Sequence, residues 1–446
     1  MSDGGSDLER DTPAAPWART ILGVARMGVD VATAVGTTAV RRAVEGPLVP
    51  GWSWPVELTR AAARGMMDTV STKMDGPTLR GFEEIIDAAT QVVWPPLGYR
   101  NSLVVQEEST DDVPVPGEWI HPVGYTFRGV VLYLHGGGYL GGSPWTHRGF
   151  TSKLAMRAHV GVFVPEYRLA PQPPFPAALD DALLAYRGML DRGVPAERII
   201  VAGDSAGGGL AAALALAIKD EQLAAPAGYL LMSPEVDLTL TGGSIADNAA
   251  TDILPPEIPI DGYLGDADPR DPFVSPLYGD LTGLPPMLVQ VGGREMLRDG
   301  QLAFAERAAE AGVDVWLHVE PDMFHVWPML VPQLPVSVAA LSRIVAFVEQ
   351  RLGPLPIEAS PGRLDGSGID GQPADVHAAR AATAGAHPAS PRPAAAHEVG
   401  GSDRDTVTTV TGALPGLNGA DQEVATLRSL LASPHAPVAP APTEDG

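Results

Sequence analysis

The sequence predicts an α/β fold with a mostly parallel central sheet and helices on both faces. Strand and helix patterns alternate from about residue 98 to residue 353, as expected for successive β-α-β units. The strand patterns lie at 130–134, 198–202, 287–291 and 314–319. With 446 residues, of which 45% are hydrophobic, the chain is long and apolar enough to bury one large core.

The first 97 residues form a predicted N-terminal helical region. Residues 17–45 have an apolar stripe opposite a polar one: Trp17, Ile21, Val24, Gly28, Val31 and Val35 against Arg19, Arg26, Asp30, Thr33 and Thr37. This helix either contacts a membrane surface weakly or packs on the body of the protein. A membrane span is disfavoured because Arg26 and Asp30 would each cost about 2.5 to 3.5 kcal/mol near the bilayer centre. A second helix is predicted over 56–73, after Trp52 and Trp54.

The strand at 130–134 leads directly into His135-Gly136-Gly137-Gly138. Successive glycines leave backbone N–H groups free to converge on one point, and such groups stabilise the negative charge that develops on a carbonyl oxygen during acyl transfer. We assign Gly137 and Gly138 as donors, with the amide of Ala206 as a third. A phosphate-binding turn is the alternative, but no Gly-Lys-Ser/Thr follows.

A second glycine-rich turn, Gly203-Asp204-Ser205-Ala206-Gly207, lies between the strand pattern at 198–202 and a helix pattern that begins at Gly208. A strand, a sharp turn and a helix are the context in which a serine hydroxyl projects above a sheet as a nucleophile. Ser205 is therefore the candidate nucleophile. Asp204 points elsewhere on such a turn, and we expect it to brace the turn through hydrogen bonds.

The general base and its acid are expected later in the chain, in the order Ser, Asp/Glu, His. His325 follows the strand at 314–319 and is the best candidate base, whereas His318 lies within that strand. Both post-strand segments lie where parallel sheets collect their ligands. Proximity in sequence leaves four acids open: Glu295, Asp299, Glu320 and Asp322.

These motifs together resemble the bacterial hormone-sensitive-lipase-like esterases, or family IV, of the α/β-hydrolase fold. The resemblance covers roughly residues 98–353 and rests on His-Gly-Gly-Gly at 135–138, Tyr-Arg-Leu-Ala-Pro at 167–171, Pro-Phe-Pro-Ala-Ala at 174–178, Gly-Asp-Ser-Ala-Gly-Gly at 203–208, Ser-Pro at 233–234, Asp-Leu-Thr at 237–239, Tyr-Leu-Gly at 263–265, Asp-Pro at 271–272 and Val-Ser-Pro-Leu at 274–277. It implies Ser205 as nucleophile, His325 as base and Glu295 as acid, since Asp299 matches the family's second, noncatalytic aspartate. A glutamate at that position resembles the branch of the family that includes lactone hydrolases.

The resemblance also implies a cap over the active site. Part of it would come from the N-terminal helices of residues 1–97, where Trp and Met side chains either line an acyl pocket or pack in the core. The other part would be an insertion at about 240–275 within a catalytic domain of residues 98–354. Pro255, Pro256 and Pro259 predict a reduced, irregular cap there, because proline interrupts helices.

Residues 355–446 are rich in Ala, Pro and Gly and have few aromatic residues. Such a composition predicts a disordered tail, with one short helical pattern at 421–431. That pattern either binds a partner or is a transient helix.

Composition excludes several classes of function. The formal net charge of −24 repels nucleic acid and anionic lipid, and the absence of cysteine excludes disulfides and thiolate metal sites. The ten histidines show no metal-ligand spacing, so we expect neither a metal nor a cofactor. The N-terminus has no secretory signal pattern, which favours a cytoplasmic protein, membrane-associated if residues 17–45 contact a membrane.

The motifs thus predict a serine carboxylic-ester hydrolase that works through an acyl-enzyme, and the resemblance implies short to medium acyl esters as its substrates. A lactone hydrolase with the same triad is the alternative substrate class. A noncatalytic ligand-binding member of the fold is a further alternative, as is a scaffold that recruits partners through its tail and N-terminal helix. The presence of His325 argues against the noncatalytic alternative.

Overall fold

The computed structural model describes residues 16–73, 103–108, 115–122 and 127–354. Its helices are α1 (Pro16–Glu45), α2 (Trp54–Lys73), α3 (Pro144–Ala158), α4 (Ala177–Asp191), α5 (Ser205–Asp220), α6 (Ser244–Asp247), α7 (Asp261–Leu264), α8 (Arg298–Glu310), α9 (Trp327–Leu330) and α10 (Pro335–Leu352). Its strands are β1 (Leu103–Glu108), β2 (Gly117–Pro122), β3 (Val130–Leu134), β4 (Gly161–Pro165), β5 (Ile199–Asp204), β6 (Gly228–Met232), β7 (Met287–Gly292) and β8 (Val315–Glu320). Short 3₁₀ turns lie at Ala196–Arg198 and Pro276–Tyr278.

The described strands form one sheet in the order β1-β2-β4-β3-β5-β6-β7-β8. Only the β1–β2 and β2–β4 pairs are antiparallel, so the predicted mostly parallel sheet is confirmed. The residues of β3, β4, β5, β6 and β7 are all buried, as expected for strands covered by helices on both faces.

The sheet register places the two glycine-rich turns side by side. Strands β3 and β5 are parallel neighbours, and Leu134 at the end of β3 pairs with Gly203 near the end of β5. The 135–138 loop and the serine turn therefore both begin at the carboxyl edge of the sheet. Helix α5 begins at Ser205 itself, so the predicted start at Gly208 was three residues late. Residues 206–209 form its first turns, and all four are small because the sheet and neighbouring loops pack closely against the helix there.

Helices α1 and α2 pack against each other as a hairpin. A Cβ atom added to Gly65 of α2 would lie 3.1 Å from the Cβ of Ala34 in α1, and the Thr69 hydroxyl donates to the Asp30 carboxylate at 2.9 Å. Buried Glu57 accepts hydrogen bonds from both Arg41 and Arg42. Small residues thus let α1 and α2 approach closely, and hydrogen bonds to charged groups hold the two helices together.

The apolar stripe predicted for residues 17–45 is not the exposed apolar surface of α1. Val24, Val31 and Val35 are half-buried, and Val31 lies against α2 at Gly65. A different row is exposed, formed by Leu22, Val29, Val40 and Val44. Packing on α2 uses Val31 of the predicted apolar stripe and Asp30 of the predicted polar one. The exposed row was missed because Arg26, Thr33 and Thr37 alternate with it on the same helical face and gave that face a polar pattern.

The α1–α2 hairpin lies against the 249–252 segment and the segment after β8. Arg60 donates to the Asp252 carbonyl at 3.1 Å, and Arg64 donates to the carbonyls of Ala249 at 3.0 Å and Asp252 at 3.2 Å. Trp52 donates to the Asp322 carbonyl and packs edge-on against Phe324, with ring centroids 5.8 Å apart. Trp52 thus belongs to a buried cluster of the core, whereas Trp54 is 45% exposed.

Between β6 and β7 the chain contains two helices of four residues each, α6 and α7, joined by loop. The three prolines at 255, 256 and 259 all lie in that loop. Several predictions concern segments outside the described residues: the tail at 355–446, the helical pattern at 421–431, and the parts of the N-terminal region up to residue 15 and from 74 to 97. The side chains of Trp17, Arg19 and Ile21 also lie outside the description.

Candidate active site

Ser205 lies at a strained corner between β5 and α5. Its φ is +53°, in the left-handed region that costs a non-glycine residue about 1 to 3 kcal/mol. Close packing on both sides explains the adjacent glycines. A Cβ atom on Gly203 would lie 2.2 Å from the Gly207 carbonyl oxygen, and one on Gly207 would lie 2.1 Å from the Leu134 carbonyl oxygen. The corner holds the serine hydroxyl at the carboxyl edge of the sheet.

Ser205, His325 and Glu295 lie in one hydrogen-bonded chain. The Ser205 Oγ is 2.8 Å from His325 Nε2, and His325 Nδ1 is 2.9 Å from Glu295 Oε2. His325 and Glu295 are 2% and 0% exposed, so the contact between them is shielded from bulk water, whereas Ser205 is half-buried. The three residues come from the ends of β5, β7 and β8, which the parallel sheet brings to one edge.

The Glu295 carboxylate is held on both oxygens. Oε1 accepts from the Ser233 hydroxyl at 2.7 Å and from the Gly292 amide, and Oε2 accepts from Gln301 Nε2 at 2.9 Å as well as from His325. Ser233 also accepts a hydrogen bond from the Val326 amide at 3.0 Å, next to His325. These donors keep the carboxylate in one orientation toward the imidazole.

The structure separates the four acids that the sequence left open. Asp299 accepts hydrogen bonds from the Ser244 amide at 2.9 Å and from Arg298. Asp322 pairs with Arg294 at 3.2 Å, and Glu320 lies 3.5 Å from His318. Of the four, Glu295 is the acid whose carboxylate contacts His325.

The 135–138 loop turns sharply beside Ser205. Gly137 and Gly138 have φ values of +132° and +63°, which a residue with a side chain rarely adopts. Within the described part of the chain, neither glycine amide donates to any acceptor. Ala206 lies in the first turn of α5, where helix amides have no intrahelical partner. The three predicted donors therefore keep unused N–H groups near the serine turn.

Asp204 connects the two glycine-rich turns. It accepts from the Gly136 amide at 3.1 Å and from the Tyr133 hydroxyl at 2.7 Å, and His147 Nε2 lies 3.3 Å from the same oxygen. Burial alone raises the pKa of Asp204, but the charge and hydrogen bond of His147 and the hydrogen bond of Tyr133 lower it below its usual value. Asp204 is thus an ionised brace, as expected, and His147 is a partner that no local motif marks.

Asp252 binds the two loops that carry His325 and Glu295. Its Oδ1 accepts from the His325 amide at 3.0 Å and its Oδ2 accepts from the adjacent Met296 amide at 2.6 Å. The Asn248 side chain donates to the Glu295 carbonyl at 2.7 Å. Residues of the 240–275 insertion therefore hold the acid and histidine loops together, a role that sequence analysis missed because the contacts join segments 44 to 73 residues apart.

His325 has a raised pKa. Burial lowers it, but the hydrogen bond to Glu295 and the charges of Glu295, Asp252 and Glu235 outweigh burial and raise the pKa to about 8. The imidazole is therefore a stronger base than an ordinary histidine.

Within the described ranges, no group of three or more His, Cys, Asp or Glu side chains is arranged to hold a metal ion. None of the helices described between residues 16 and 354 is long and apolar enough to cross a membrane.

Comparisons with known proteins identify the family of the chain. Residues 131–329 match the family model described as the alpha/beta hydrolase fold. The acetyl-hydrolase of Streptomyces hygroscopicus is 42% identical over 240 residues, which are 53% of this chain and 80% of that protein. The esterase of Acinetobacter venetianus is 40% identical over 223 residues, which are 49% of this chain and 74% of that protein.

A solved structure of an esterase from the bacterial hormone-sensitive lipase family is 37% identical and superposes with a TM-score of 0.61, covering 68% of this chain and 100% of that one. This chain belongs to the bacterial hormone-sensitive-lipase family. As a member of that family it has the α/β-hydrolase fold and is a carboxylic-ester hydrolase. Esterases of this kind act on small-molecule ester substrates.

Proposed function

We propose that the chain hydrolyses short to medium acyl esters through a Ser205–His325–Glu295 triad and an acyl-enzyme. The observation that carries the proposal is the continuous chain of hydrogen bonds from Ser205 Oγ through His325 to Glu295. A nucleophile, a base and an orienting acid within hydrogen-bond distance of one another are what this chemistry requires. The name acetyl-hydrolase of two relatives supports a short acyl group.

In the first half-reaction, His325 Nε2 takes the proton of Ser205 as its Oγ attacks the ester carbonyl. The resulting imidazolium then gives that proton to the leaving alcohol, and the acyl group remains on Ser205. Water, activated by the same imidazole, releases the acid in the second half-reaction. Glu295 keeps the Nδ1–H tautomer in place and stabilises the imidazolium in both.

The amides of Gly137, Gly138 and Ala206 donate to the oxyanion in each tetrahedral intermediate. Each such donor contributes about 10² to 10³ in rate. Asp204 supports this function indirectly, because it holds the Gly136 amide and so the position of the loop.

A substrate panel tests the proposal. Wild-type protein is assayed with p-nitrophenyl esters of two to twelve acyl carbons and with a few lactones, and its active serine is titrated with a fluorophosphonate probe. We expect labelling and a maximum at short or medium chain length. Faster hydrolysis of lactones would move the substrate class to the alternative, and a chain that is neither labelled nor active would be a noncatalytic member.

The pH profile follows from the pKa of His325. Only the neutral imidazole accepts the serine proton, so kcat/KM should fall about tenfold per pH unit below pH 8 and reach a plateau above it. Measurement of kcat/KM for one p-nitrophenyl ester from pH 5.5 to pH 9.5 checks this. A limb near pH 6.5 would show that Glu295 does not raise the pKa.

Asp252→Asn should lower kcat by about 10²-fold, because it removes one of two amide contacts that position the reacting groups. Loss of its charge should also lower the pKa of His325 and move the acid limb of the profile to lower pH. Asp181→Asn is the matched control, since this buried carboxylate likewise accepts a backbone amide, from Arg168 at 2.8 Å, but binds no triad loop. An unchanged pH limb in Asp252→Asn would contradict the expected role.

We also propose that α1 and α2, together with residues 240–275, form a cap on a catalytic domain that ends at about residue 354. The hydrogen bonds from Arg60 and Arg64 to the 249–252 segment support this division.

The exposed row of α1, formed by Leu22, Val29, Val40 and Val44, supports a weak membrane-surface contact. These four side chains are 65% to 79% exposed. The neighbouring hydroxyls of Thr33 and Thr37 donate to carbonyls of their own helix at 2.8 Å, so contact with lipid leaves neither unsatisfied.

Sedimentation with uncharged phosphatidylcholine vesicles tests this contact. Leu22→Glu combined with Val40→Glu should lower the bound fraction more than about tenfold, because two apolar side chains no longer enter the bilayer surface. Val338→Glu on α10, at a 44% exposed valine, is the control and should bind like the wild type. Equal binding of both variants would exclude α1 as the contact.

A further inference from the structure

Glu235 is a buried carboxyl group beside the nucleophile with no hydrogen-bond partner. It follows β6, is 3% exposed, and its amide donates to the Ser205 carbonyl at 2.9 Å. The other buried carboxylates of the described residues all accept hydrogen bonds: Glu57, Glu118, Asp181, Asp204, Asp252 and Glu295. No donor in the described part of the chain reaches the Glu235 side chain, and its oxygens are not among the fully buried atoms without a partner, so the carboxyl group keeps some access to solvent. Glu235 is therefore the exception among these buried acidic residues.

The surroundings of Glu235 are those of the catalytic centre. Its carboxyl group interacts electrostatically with His325 and with the phenols of Tyr139 and Tyr263. Tyr139 directly follows the oxyanion glycines, and its ring stacks on Tyr263 with centroids 3.6 Å apart. The carboxyl group thus lies close enough to the histidine and to these two tyrosines for their charges to interact.

Burial raises the pKa of Glu235 to about 7, although the charge of His325 opposes the rise. Both the acid and the carboxylate are therefore populated near neutral pH. A hydroxyl group can hydrogen-bond to either form, whereas an ammonium group needs the ionised form that burial disfavours.

We propose that Glu235 is a specificity-determining residue that accepts a hydrogen bond from a hydroxyl group of the substrate. The preferred substrates are then esters with a hydroxyl group near the scissile carbonyl, on the acyl or the alcohol side. This inference rests on the proposed ester hydrolysis at Ser205. A site built to bind a substrate hydroxyl discriminates strongly against the analogue without it, because the protein group is then left unpaired.

The test compares three esters of similar size by proton release: ethyl butyrate, ethyl 3-hydroxybutyrate and 2-hydroxyethyl butyrate. The readout is the ratio of kcat/KM for each hydroxy ester to that for ethyl butyrate. We expect a ratio above one in the wild type for at least one hydroxy ester, and a fall of about 10- to 100-fold in Glu235→Leu. Glu235→Gln keeps an acceptor oxygen and should lose less. The ester whose ratio falls identifies the side that carries the hydroxyl.

Asp252→Asn is the control, because it should slow all three esters alike and leave both ratios unchanged. Thermal unfolding of each variant checks the fold, and Glu235→Ala, which also lacks an acceptor oxygen, carries the test if the leucine variant does not fold. Ratios that stay within twofold of the wild type in the Glu235 variants would overturn the inference while ester hydrolysis stands. A wild type that hydrolyses none of the three esters and resists fluorophosphonate would instead overturn the proposed function.

Discussion

Ser205→Ala should lower kcat by about 10⁶-fold while the fold stays intact. The nucleophile and its base act as one unit, so loss of the hydroxyl removes the covalent route, and what remains comes from binding and the oxyanion donors. Alanine keeps the Cβ atom that the corner at φ +53° already accommodates, so unfolding should be little affected. The measurements are kcat for a p-nitrophenyl ester, fluorophosphonate labelling and thermal unfolding.

Ser342→Ala is the control for this substitution. The Ser342 hydroxyl is exposed on α10 and donates to the Val338 carbonyl of its own helix at 2.9 Å. This variant should keep full activity and labelling. Esterase activity retained in Ser205→Ala, with Ser342→Ala unaffected, would refute the assignment of the nucleophile.

Glu295→Gln should lower kcat by about 10⁴-fold. A glutamine can present its amide to His325 Nδ1 and so favour the tautomer whose Nε2 carries the proton, which cannot accept the serine proton. Loss of the negative charge should also lower the pKa of His325 from about 8, which moves the acid limb of the pH profile to lower pH. The measurement is kcat/KM across pH for both proteins.

Asp299→Asn is the matched control for the acid. The Asp299 carboxylate binds Ser244 and Arg298, not the imidazole. Its substitution should change kcat by a few fold through the insertion that it anchors, without moving the pH limb. If Asp299→Asn alone abolished turnover, Glu295 would not be the acid.

The parts of the site that could be predicted from sequence are those with a local cause. Ser205 was predicted as the nucleophile because strand, glycine turn and helix are contiguous in the sequence. Gly137 and Gly138 were predicted as donors because consecutive glycines follow a buried strand. Four of the eight described strands, β3, β5, β7 and β8, were located to within two residues, since apolar runs are local patterns, whereas β1, β2, β4 and β6 were not named. The order of nucleophile, acid and base supplied His325.

The remaining residues act through contacts that no short window contains. Ser233 holds Glu295 across 62 positions, Tyr133 reaches Asp204 across 71, and Asp252 reaches His325 across 73. The identity of the acid could not be decided from sequence proximity for the same reason. Four carboxylates lie within the two segments that follow the predicted strands at 287–291 and 314–319, and only the packing shows which of them contacts His325. No sequence motif marks Glu235. Its lack of a hydrogen-bond partner becomes evident only from comparison with the other buried carboxylates in the structure, which all have one.

Asp252 is bound at both ends: its carbonyl accepts from two arginines of α2, and its carboxylate accepts from the amides of Met296 and His325. The amino-terminal helices are therefore not a removable appendage. A shortened version of this enzyme that starts after residue 73 would lack the two arginines that bind the Asp252 carbonyl. The carboxylate of Asp252 would then hold the Met296 and His325 amides less firmly. Anyone trimming the gene for expression or crystallisation should keep the chain from α1 onward, and domain boundaries drawn only from the hydrolase sheet would place the cut too late.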